Sequence, residues 1–221
     1  MDVLFQSEDY RVTLTATGDG KNRIDIEGKP VYMPSIVTAY PRDLIMTALR
    51  VRGPEWMTDE IARDEQPNYV QRGLRHHLLT YVTEDRLNRS RILDFGCGSG
   101  ASTAIMARMF PSAEIVGTEM EPSFLDLARA RAAHYGAADR VSFLVGDGGA
   151  PDCGTFDVIV LSAVVEHMLP AERSATLPAL WRLLRPGGTM VVFDTPHRWV
   201  PIETHTTSPD HASDARASRL I

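Results

Sequence analysis

The chain has little cysteine, no long apolar run and no excess of basic residues, and each lack excludes a class of protein. Its two cysteines, Cys97 and Cys153, are too few for a disulfide framework or a four-ligand zinc site. No apolar run approaches the roughly 18 residues that a membrane span needs. The N-terminus shows no signal-peptide pattern. The net charge is -6 at pH 7 and no basic stripe is present, so nucleic acid is not expected as a partner. We therefore expect a cytoplasmic protein without a membrane partner.

The second half of the chain alternates between strand-like and helix-like segments. With 221 residues, of which 43% are hydrophobic, the chain is long enough for one domain with an elaborated end. The strand-like segments are RILDFGC, AEIVGTE, VSFLVGD, FDVIVLS and TMVVFDT. Each is short and apolar on both faces, which is typical of a parallel sheet covered by helices. The pattern predicts an α/β fold, with a Rossmann-like, doubly wound and mostly parallel sheet.

The first part of the chain has a different pattern. RVTLTAT and RIDIEGKPVYM read as two strands around a Gly-Asp-Gly turn, and the stretch from Pro54 to Val82 reads as helical. We divide the chain into an N-terminal extension or lid at 1–66, a core at 67–205 and a disordered or loosely held tail at 206–221. Trp56, Met57 and Tyr69 are candidates for a lid, or equally for a hydrophobic seat against the sheet.

Two helices of the core have recognisable ends. One helix opens at Pro122 and closes at Gly136, and its Arg129 and Arg131 are expected to be solvated charges. A later helix, before the sequence LLRPGG, is expected to start or kink at Pro178.

The stretch LDFGCGSGAS, residues 93–102, fits two glycine fingerprints. As G-x-G-x-G it is typical of a loop that binds S-adenosylmethionine (SAM), and as G-x-G-x-x-A it is typical of a dinucleotide loop. Asp94 before the loop suits a cationic ligand and would repel a pyrophosphate. Glu119 ends the second strand, where an acid holds ribose hydroxyls, and Asp147 ends the third, where it could accept a hydrogen bond from an adenine amino group.

The successive motifs LDFGCGSG, VGTEMEPSFLDLAR, FLVGDGG, FDVIVLSAVVEHM and LLRPGGTMVVFDTP resemble those of class I SAM-dependent methyltransferases. The resemblance covers roughly residues 70–205 and implies SAM as the cofactor. The roles that it implies follow the cofactor from end to end: Asp94, Gly96, Gly98 and Gly100 around the methionine part, Glu119 on the ribose, Met120, Asp147 and Gly148 at the adenine, and Ser162 after the fourth strand. The expected activity is methyl transfer to a small molecule, at oxygen.

Two segments are candidates for the acceptor side. His167, in VVEHM, is a candidate general base, although it could instead order its loop. DTPHRWVPIETHTT is similar to a segment of quinone O-methyltransferase relatives, which implies His197 as a second catalytic candidate and Arg198, Glu203 and His205 as substrate-binding residues. No aspartate cluster follows the fourth strand, so no metal is expected.

The family usually continues beyond the fifth strand, and only 27 residues follow Asp194. Three explanations are open: the N-terminal strands cover that region, a partner chain does so, or the chain is truncated. An exposed edge strand would also make a homodimer an arrangement to test. Two alternative functions follow, a non-catalytic or truncated SAM-binding module and, on the glycine spacing alone, an NAD-dependent oxidoreductase.

Overall fold

The computed structural model describes residues 1–194, which begin with an antiparallel sheet of four strands in the order β1-β2-β3-β4. The strands are β1 Asp2–Gln6, β2 Tyr10–Ala16, β3 Asn22–Gly28 and β4 Ser35–Thr38. Val12 faces Ile26 and Leu14 faces Ile24 across β2 and β3, and all four side chains are buried. Such cross-strand apolar pairs stabilise a sheet that has one covered face. The predicted strand-turn-strand unit is confirmed as β2 and β3, but β3 ends at Gly28 and does not reach Met33 as predicted. Strands β1 and β4 were not predicted.

A long helix covers this sheet. Helix α1, Arg42–Glu65, is interrupted at Gly53, whose φ of 73° and ψ of 169° are not helical, and Pro54 follows it. Ile45 and Ile61, on either side of the interruption, both lie in the apolar core of the N-terminal sheet. The chain continues through a π-helical turn at Pro67–Gln71, then α2 at Arg72–Tyr81 and α3 at Glu84–Asn88. The predicted helical stretch is therefore largely helical, but Pro67 opens a π-helical turn instead of an α-helix.

The remaining described residues form a parallel sheet of five strands, which confirms the predicted α/β fold. Its order is β7-β6-β5-β8-β9. Its elements are β5 Arg91–Phe95, α4 Ala101–Met109, β6 Glu114–Glu119, α5 Pro122–His134, β7 Val141–Val145, β8 Phe156–Ser162, α6 Pro170–Arg182 and β9 Leu184–Phe193. Ile92 and Leu93, adjacent on β5, lie in different apolar clusters. Both faces of the sheet are therefore covered, which explains the unbroken apolar strands.

Two helix ends differ in how well they were predicted. Pro122 opens α5, and Gly136, with a φ of 64°, follows its C-cap, as expected. Helix α6 begins at Pro170, so Pro178 does not start it but lies inside the helix, and the alternative that Pro178 kinks the helix remains a prediction. No helix of residues 1–194 is both long and apolar enough to cross a membrane.

The N-terminal sheet does not extend the parallel one. Leu127 of α5 is part of the apolar core that the N-terminal sheet forms with α1, and α5 packs on β6 and β7. Strand β9 is at the opposite end of the sheet and is an edge strand within residues 1–194. The explanation in which the N-terminal strands cover the region beyond the fifth strand is therefore wrong. The proposed boundary at residue 66 falls between α1 and the π-helical turn, and the division into domains remains a prediction.

Candidate functional site

A cavity of about 830 Å³ opens at the carboxyl ends of β5, β6 and β8. Strand order reverses at β5, because β6 lies on one side of it and β8 on the other, and ligands of open α/β sheets bind at such a point. The volume is within the range of small-molecule sites. The predicted site residues that line the cavity are Gly96, Gly98, Glu119, Met120, Asp147, Gly148, Ser162 and His167.

The glycines of the loop between β5 and α4 have different surroundings. A Cβ added to Gly98 would meet no atom within 4 Å, so this glycine faces open space in the cavity. A Cβ on Gly100 would lie 2.6 Å from the Cβ of Ala128, so this glycine allows α4 and α5 to approach each other. Gly100 does not line the cavity. Both have positive φ, 54° and 79°, which favours glycine at either position.

Glu119, the last residue of β6, holds the glycine loop in place. Its Oε2 accepts a hydrogen bond from the amide of Gly98 at 3.0 Å. Its Oε1 accepts from the amides of Met120 and Glu121, at 2.8 and 3.0 Å. A carboxylate oxygen has two acceptor positions, so Oε2 can still bind a ligand hydroxyl. The side chain is thus oriented by the backbone before a ligand arrives.

Asp94 does not face the cavity, in contrast to the sequence-based expectation. It is buried, 1% exposed, and its carboxylate accepts hydrogen bonds from the hydroxyls of Ser102 and Thr103, at 2.7 and 2.5 Å. Burial raises the pKa of Asp94, and the two hydroxyls oppose that rise. The reason for the difference is local, since the first turn of α4 presents two hydroxyls to the end of β5. Asp94 therefore anchors α4 and does not line the cavity.

Met120, Asp147 and Gly148 form one wall of the cavity. Asp147 accepts a hydrogen bond from the amide of Gly149 at 2.9 Å, which fixes the turn after β7. A Cβ on Gly148, whose φ is 84°, would lie 3.1 Å from the Sδ of Met120. Met120 is 62% exposed and makes little contact with the core. An exposed thioether beside a carboxylate provides both an apolar surface and a hydrogen-bond acceptor for a flat, polar-edged ring.

The opposite end of the cavity lies beyond β8 and β9. His167 is an exposed residue in a 3₁₀ turn, Val165–His167, and lines the cavity. Ala163 and Asp194 follow the two strands, also line the cavity, and have φ of 53° and 59°. Left-handed backbone at residues other than glycine is unusual and is concentrated at functional sites. The four candidates His197, Arg198, Glu203 and His205 lie outside the described residues.

Arg63 lines the cavity and was missed by the sequence analysis. It is the only lysine or arginine on the cavity wall among residues 1–194. Its Nε is buried and has no hydrogen-bond partner in that part of the chain. The signal was weak, because Arg63 stands among the mixed charges of DEIARDE. Its position gives the cavity a cation that can bind an anionic group.

The proposed lid residues are in different environments. Trp56 is 49% exposed and Met57 is fully buried in the core, and neither lines the cavity. Tyr69 does line it, and its hydroxyl donates to Asp59 at 3.3 Å. A closing motion of this segment remains a prediction.

Arg131 is the main correction to the sequence analysis, which placed it in solvent. Its side chain is fully buried on α5. The guanidinium donates to the Tyr40 hydroxyl at 2.8 Å, pairs with Glu60 at 2.7 Å and lies 3.2 Å from Asp64. It also donates to the main-chain oxygen and the Oγ of Ser99, both at 2.8 Å. We call these five residues the Arg131 cluster; they join α1, α5 and the glycine loop.

The charges of this cluster hold Glu60 ionised. Burial alone would raise the pKa of Glu60, but the charges of Arg131 and Arg63 and a hydrogen bond from Ser99 lower it to about 2. For Arg131, burial would lower the pKa, and Tyr40 and Glu60 outweigh that effect and raise it. The cluster is therefore a buried set of opposite charges with hydrogen bonds in place, the arrangement that makes burial of charge tolerable. No group of three or more His, Cys, Asp or Glu residues that could hold a metal is present within residues 1–194.

Part of the chain matches a known protein family. Residues 92–188 match the family described as a methyltransferase domain. The chain is 38% identical over 102 residues to a trans-aconitate 2-methyltransferase of Methylobacterium radiotolerans, across 45% of this chain and 36% of that protein. It is 36% identical over 101 residues to a ubiquinone biosynthesis O-methyltransferase of Cereibacter sphaeroides, across 46% and 39%. The solved structure of StiE O-MT aligns with a TM-score of 0.48 and 21% identity, over 68% of this chain and 50% of that one.

The chain spans less than half the length of these two curated relatives in the matched region. The family match begins in β5 and ends in β9, so it includes the glycine loop and the cavity residues Glu119, Asp147 and His167. It therefore decides between the two glycine fingerprints in favour of SAM. Over residues 92–188 the chain is therefore similar to the methyltransferase domains of class I SAM-dependent enzymes, and this similarity implies SAM as the cofactor.

Proposed function

We propose that this protein transfers a methyl group from SAM to an oxygen atom of a small-molecule acceptor, by direct in-line displacement. The observation that carries the proposal is the set of charges on the cavity wall: Glu119 and Asp147 at neighbouring strand ends, with Arg63 contributed by α1. The printed names of two relatives, a trans-aconitate 2-methyltransferase and a ubiquinone biosynthesis O-methyltransferase, support a small-molecule acceptor and transfer to oxygen.

The residues on the cavity wall fit the chemical groups of SAM. Glu119 can accept hydrogen bonds from the ribose hydroxyls, because its carboxylate is already turned toward the loop. Asp147 can accept from the adenine amino group, with Met120 against the ring. Arg63, whose buried Nε is unpartnered in the described chain, can bind the carboxylate of the methionine part. Such a carboxylate would supply the hydrogen-bond acceptor that this guanidinium nitrogen lacks within residues 1–194.

The bound cofactor supplies a methyl group that is already activated on a sulfonium. The protein's contribution is then alignment and exclusion of water, which account for a large part of the rate in such transfers. A hydroxyl acceptor also has to lose its proton, and His167 is exposed to the cavity with an imidazole that can take it. Ser162, Ala163 and Asp194 line the same end of the cavity and would contact the acceptor.

Several finer predictions belong to the same proposal. His197 as a catalytic residue, and Arg198, Glu203 and His205 as acceptor-binding residues, lie outside the described chain and stay predictions. A cytoplasmic location and a homodimer also stay predictions.

The proposal is tested by incubating the purified protein with methyl-labelled SAM and a small-molecule fraction of a cell extract. Label should appear in a small molecule, and the signal should be lost in Glu119→Gln. Glu114→Gln is the matched control, because Glu114 starts the same strand and pairs with Arg91 away from the cavity. Label that enters only protein or RNA would contradict the small-molecule acceptor, and an unchanged Glu119→Gln variant would contradict the site.

A further inference from the structure

The glycine loop is held from outside the parallel sheet, by the buried side chain of Arg131. Ser99 lies between Gly98 and Gly100 and lines the cavity. Arg131 Nη1 donates to both its main-chain oxygen and its Oγ. The Ser99 hydroxyl in turn donates to Glu60 of α1. One residue of the loop is thus fixed through its backbone and its side chain together.

Two further hydrogen bonds fix the orientation of Arg131 itself. Its Nε donates to the Tyr40 hydroxyl, and that hydroxyl donates to Asp64 at 2.7 Å. Its Nη2 donates to the main-chain oxygen of Glu60. A planar guanidinium with donors in a fixed fork can satisfy all of these acceptors at once, and an ammonium group cannot. The loop conformation therefore depends on residues of α1 and of the segment before it, which lie far from Ser99 in sequence.

Neutralising the buried charge of Arg131 does not require any contact with the glycine loop. Glu60 and Asp64 could neutralise Arg131 without Ser99, and burial of the pair would still be satisfied. The contact to the main-chain oxygen of Ser99 instead sets the backbone between the two glycines, the residues with the least conformational restriction of their own. Glu119 fixes the other side of the same loop at the amide of Gly98.

We propose that Arg131 and Glu60 are positioning residues, which set the Gly98–Gly100 loop in its cofactor-binding conformation before SAM binds. The N-terminal segment is then part of the cofactor site although neither Arg131 nor Glu60 lines the cavity. This inference rests on the proposed SAM site. Positioning the loop in this way favours SAM binding through entropy, because a loop that is already ordered loses less conformational entropy when SAM binds.

The test compares Arg131→Lys with Tyr135→Phe. Lysine keeps the positive charge but lacks the planar set of N–H donors of the guanidinium. Tyr135→Phe removes a hydroxyl that donates to Asp64 at 2.8 Å, so it weakens the neighbourhood of the cluster without touching the loop. Amide hydrogen exchange of Gly98–Ala101 is measured without ligand, and the SAM dissociation constant by calorimetry, each at the same interval below the variant's own Tm.

We expect Arg131→Lys to speed exchange of these loop amides at least tenfold and to raise the SAM dissociation constant by a similar factor. Tyr135→Phe should lower the Tm and change neither quantity. Equal exchange and equal affinity in the two variants would overturn the inference, since Arg131 would then contribute only to stability. If Arg131→Lys does not fold, Ser99→Ala is the second variant, because it keeps every charge of the Arg131 cluster and removes only the hydrogen bonds of the Ser99 hydroxyl. It should still speed loop exchange about fivefold, and unchanged exchange would count against the inference.

The outcomes also separate this inference from the proposed function. Absence of SAM binding by the unaltered protein would contradict the proposed function and the role in cofactor binding, whatever the variants do. SAM binding by the unaltered protein with equal affinity in Arg131→Lys would contradict the positioning role alone.

Discussion

Arg131 Nη1 lies 2.8 Å from both the main-chain oxygen and the Oγ of Ser99, so a buried arginine of α5 meets the glycine loop through two hydrogen bonds. The loop is 32 residues earlier in the chain than this arginine. Glu60 of α1 completes the contact, since it binds Arg131 and Ser99 through the same oxygen. A continuous network of hydrogen bonds therefore joins the N-terminal segment, α5 and the glycine loop.

Alanine at Gly98 and at Gly100 should have separable effects. Gly100→Ala should lower the free energy of unfolding by about 3 kcal/mol, because its Cβ would overlap Ala128 and its φ is positive. Gly98→Ala should cost only about 1 kcal/mol of strain. Its Cβ enters the cavity, so it should weaken SAM binding about tenfold or more. Chemical denaturation and calorimetric titration of both variants measure the two effects, and equal losses of stability would contradict this assignment.

Glu119→Gln should weaken SAM binding at least tenfold. The carboxylate accepts three backbone amides, so an amide nitrogen at either oxygen position would face another donor. An unmade hydrogen bond of this kind costs about 1 to 3 kcal/mol. Glu114→Gln, at the start of the same strand, should bind SAM as the unaltered protein does. Similar affinity in the two variants would mean that Glu119 does not hold the cofactor.

Arg63→Met should weaken binding of SAM more than tenfold and leave 5′-methylthioadenosine unaffected. That compound has the ribose and the adenine of SAM but lacks its carboxylate, which is the group we assign to Arg63. Arg50→Met is the matched control, because Arg50 is an exposed residue of the same helix and does not line the cavity. Equal losses of affinity for both ligands would mean that Arg63 does not bind the carboxylate of SAM.

Glu60 should make stability fall in acid. Its pKa is about 2 in the folded protein, below its ordinary value of 4.5. A carboxyl with a lowered folded pKa contributes its full stability above the unfolded pKa and loses it as the pH falls through the folded pKa. The window therefore runs from about pH 4.5 down to about pH 2, and the contribution is on the order of 3 kcal/mol.

The measurement is urea denaturation at several pH values across that window. Glu60→Gln should be less stable at pH 7 and should show a shallower loss of stability toward pH 2. Glu84→Gln, which changes an exposed carboxyl, should follow the unaltered protein. An unchanged pH slope in Glu60→Gln would show that other carboxyls cause the acid sensitivity.

The parallel sheet could be predicted because each of its strands carries its own signal. Burial on both faces gives a continuous apolar run, and glycines and carboxylates at the strand ends mark where a ligand binds. Strands β1 and β4 gave no such signal. Most of β1 is exposed and β4 has only four residues, so neither shows a clear apolar pattern.

The polar interior was the harder part to predict. Arg131 has its partners at Glu60 and Tyr40, 71 and 91 residues away, so the sequence near it does not reveal them. Its helical spacing from Leu127 and Ala128 does place it on the buried face of α5, unlike Arg129. Asp94 is a different case, because its hydroxyl partners follow only eight and nine residues later. The spacing of a strand-end carboxylate before the hydroxyls of a helix's first turn could have indicated the contact.

The central claim is that this cavity binds SAM, and calorimetric titration of the purified protein with SAM and with its demethylated product tests it most directly. We expect micromolar binding of both ligands, weakened at least tenfold in Glu119→Gln. Absence of binding to a protein that melts cooperatively would contradict the account, because the folded site would then be present without holding its cofactor.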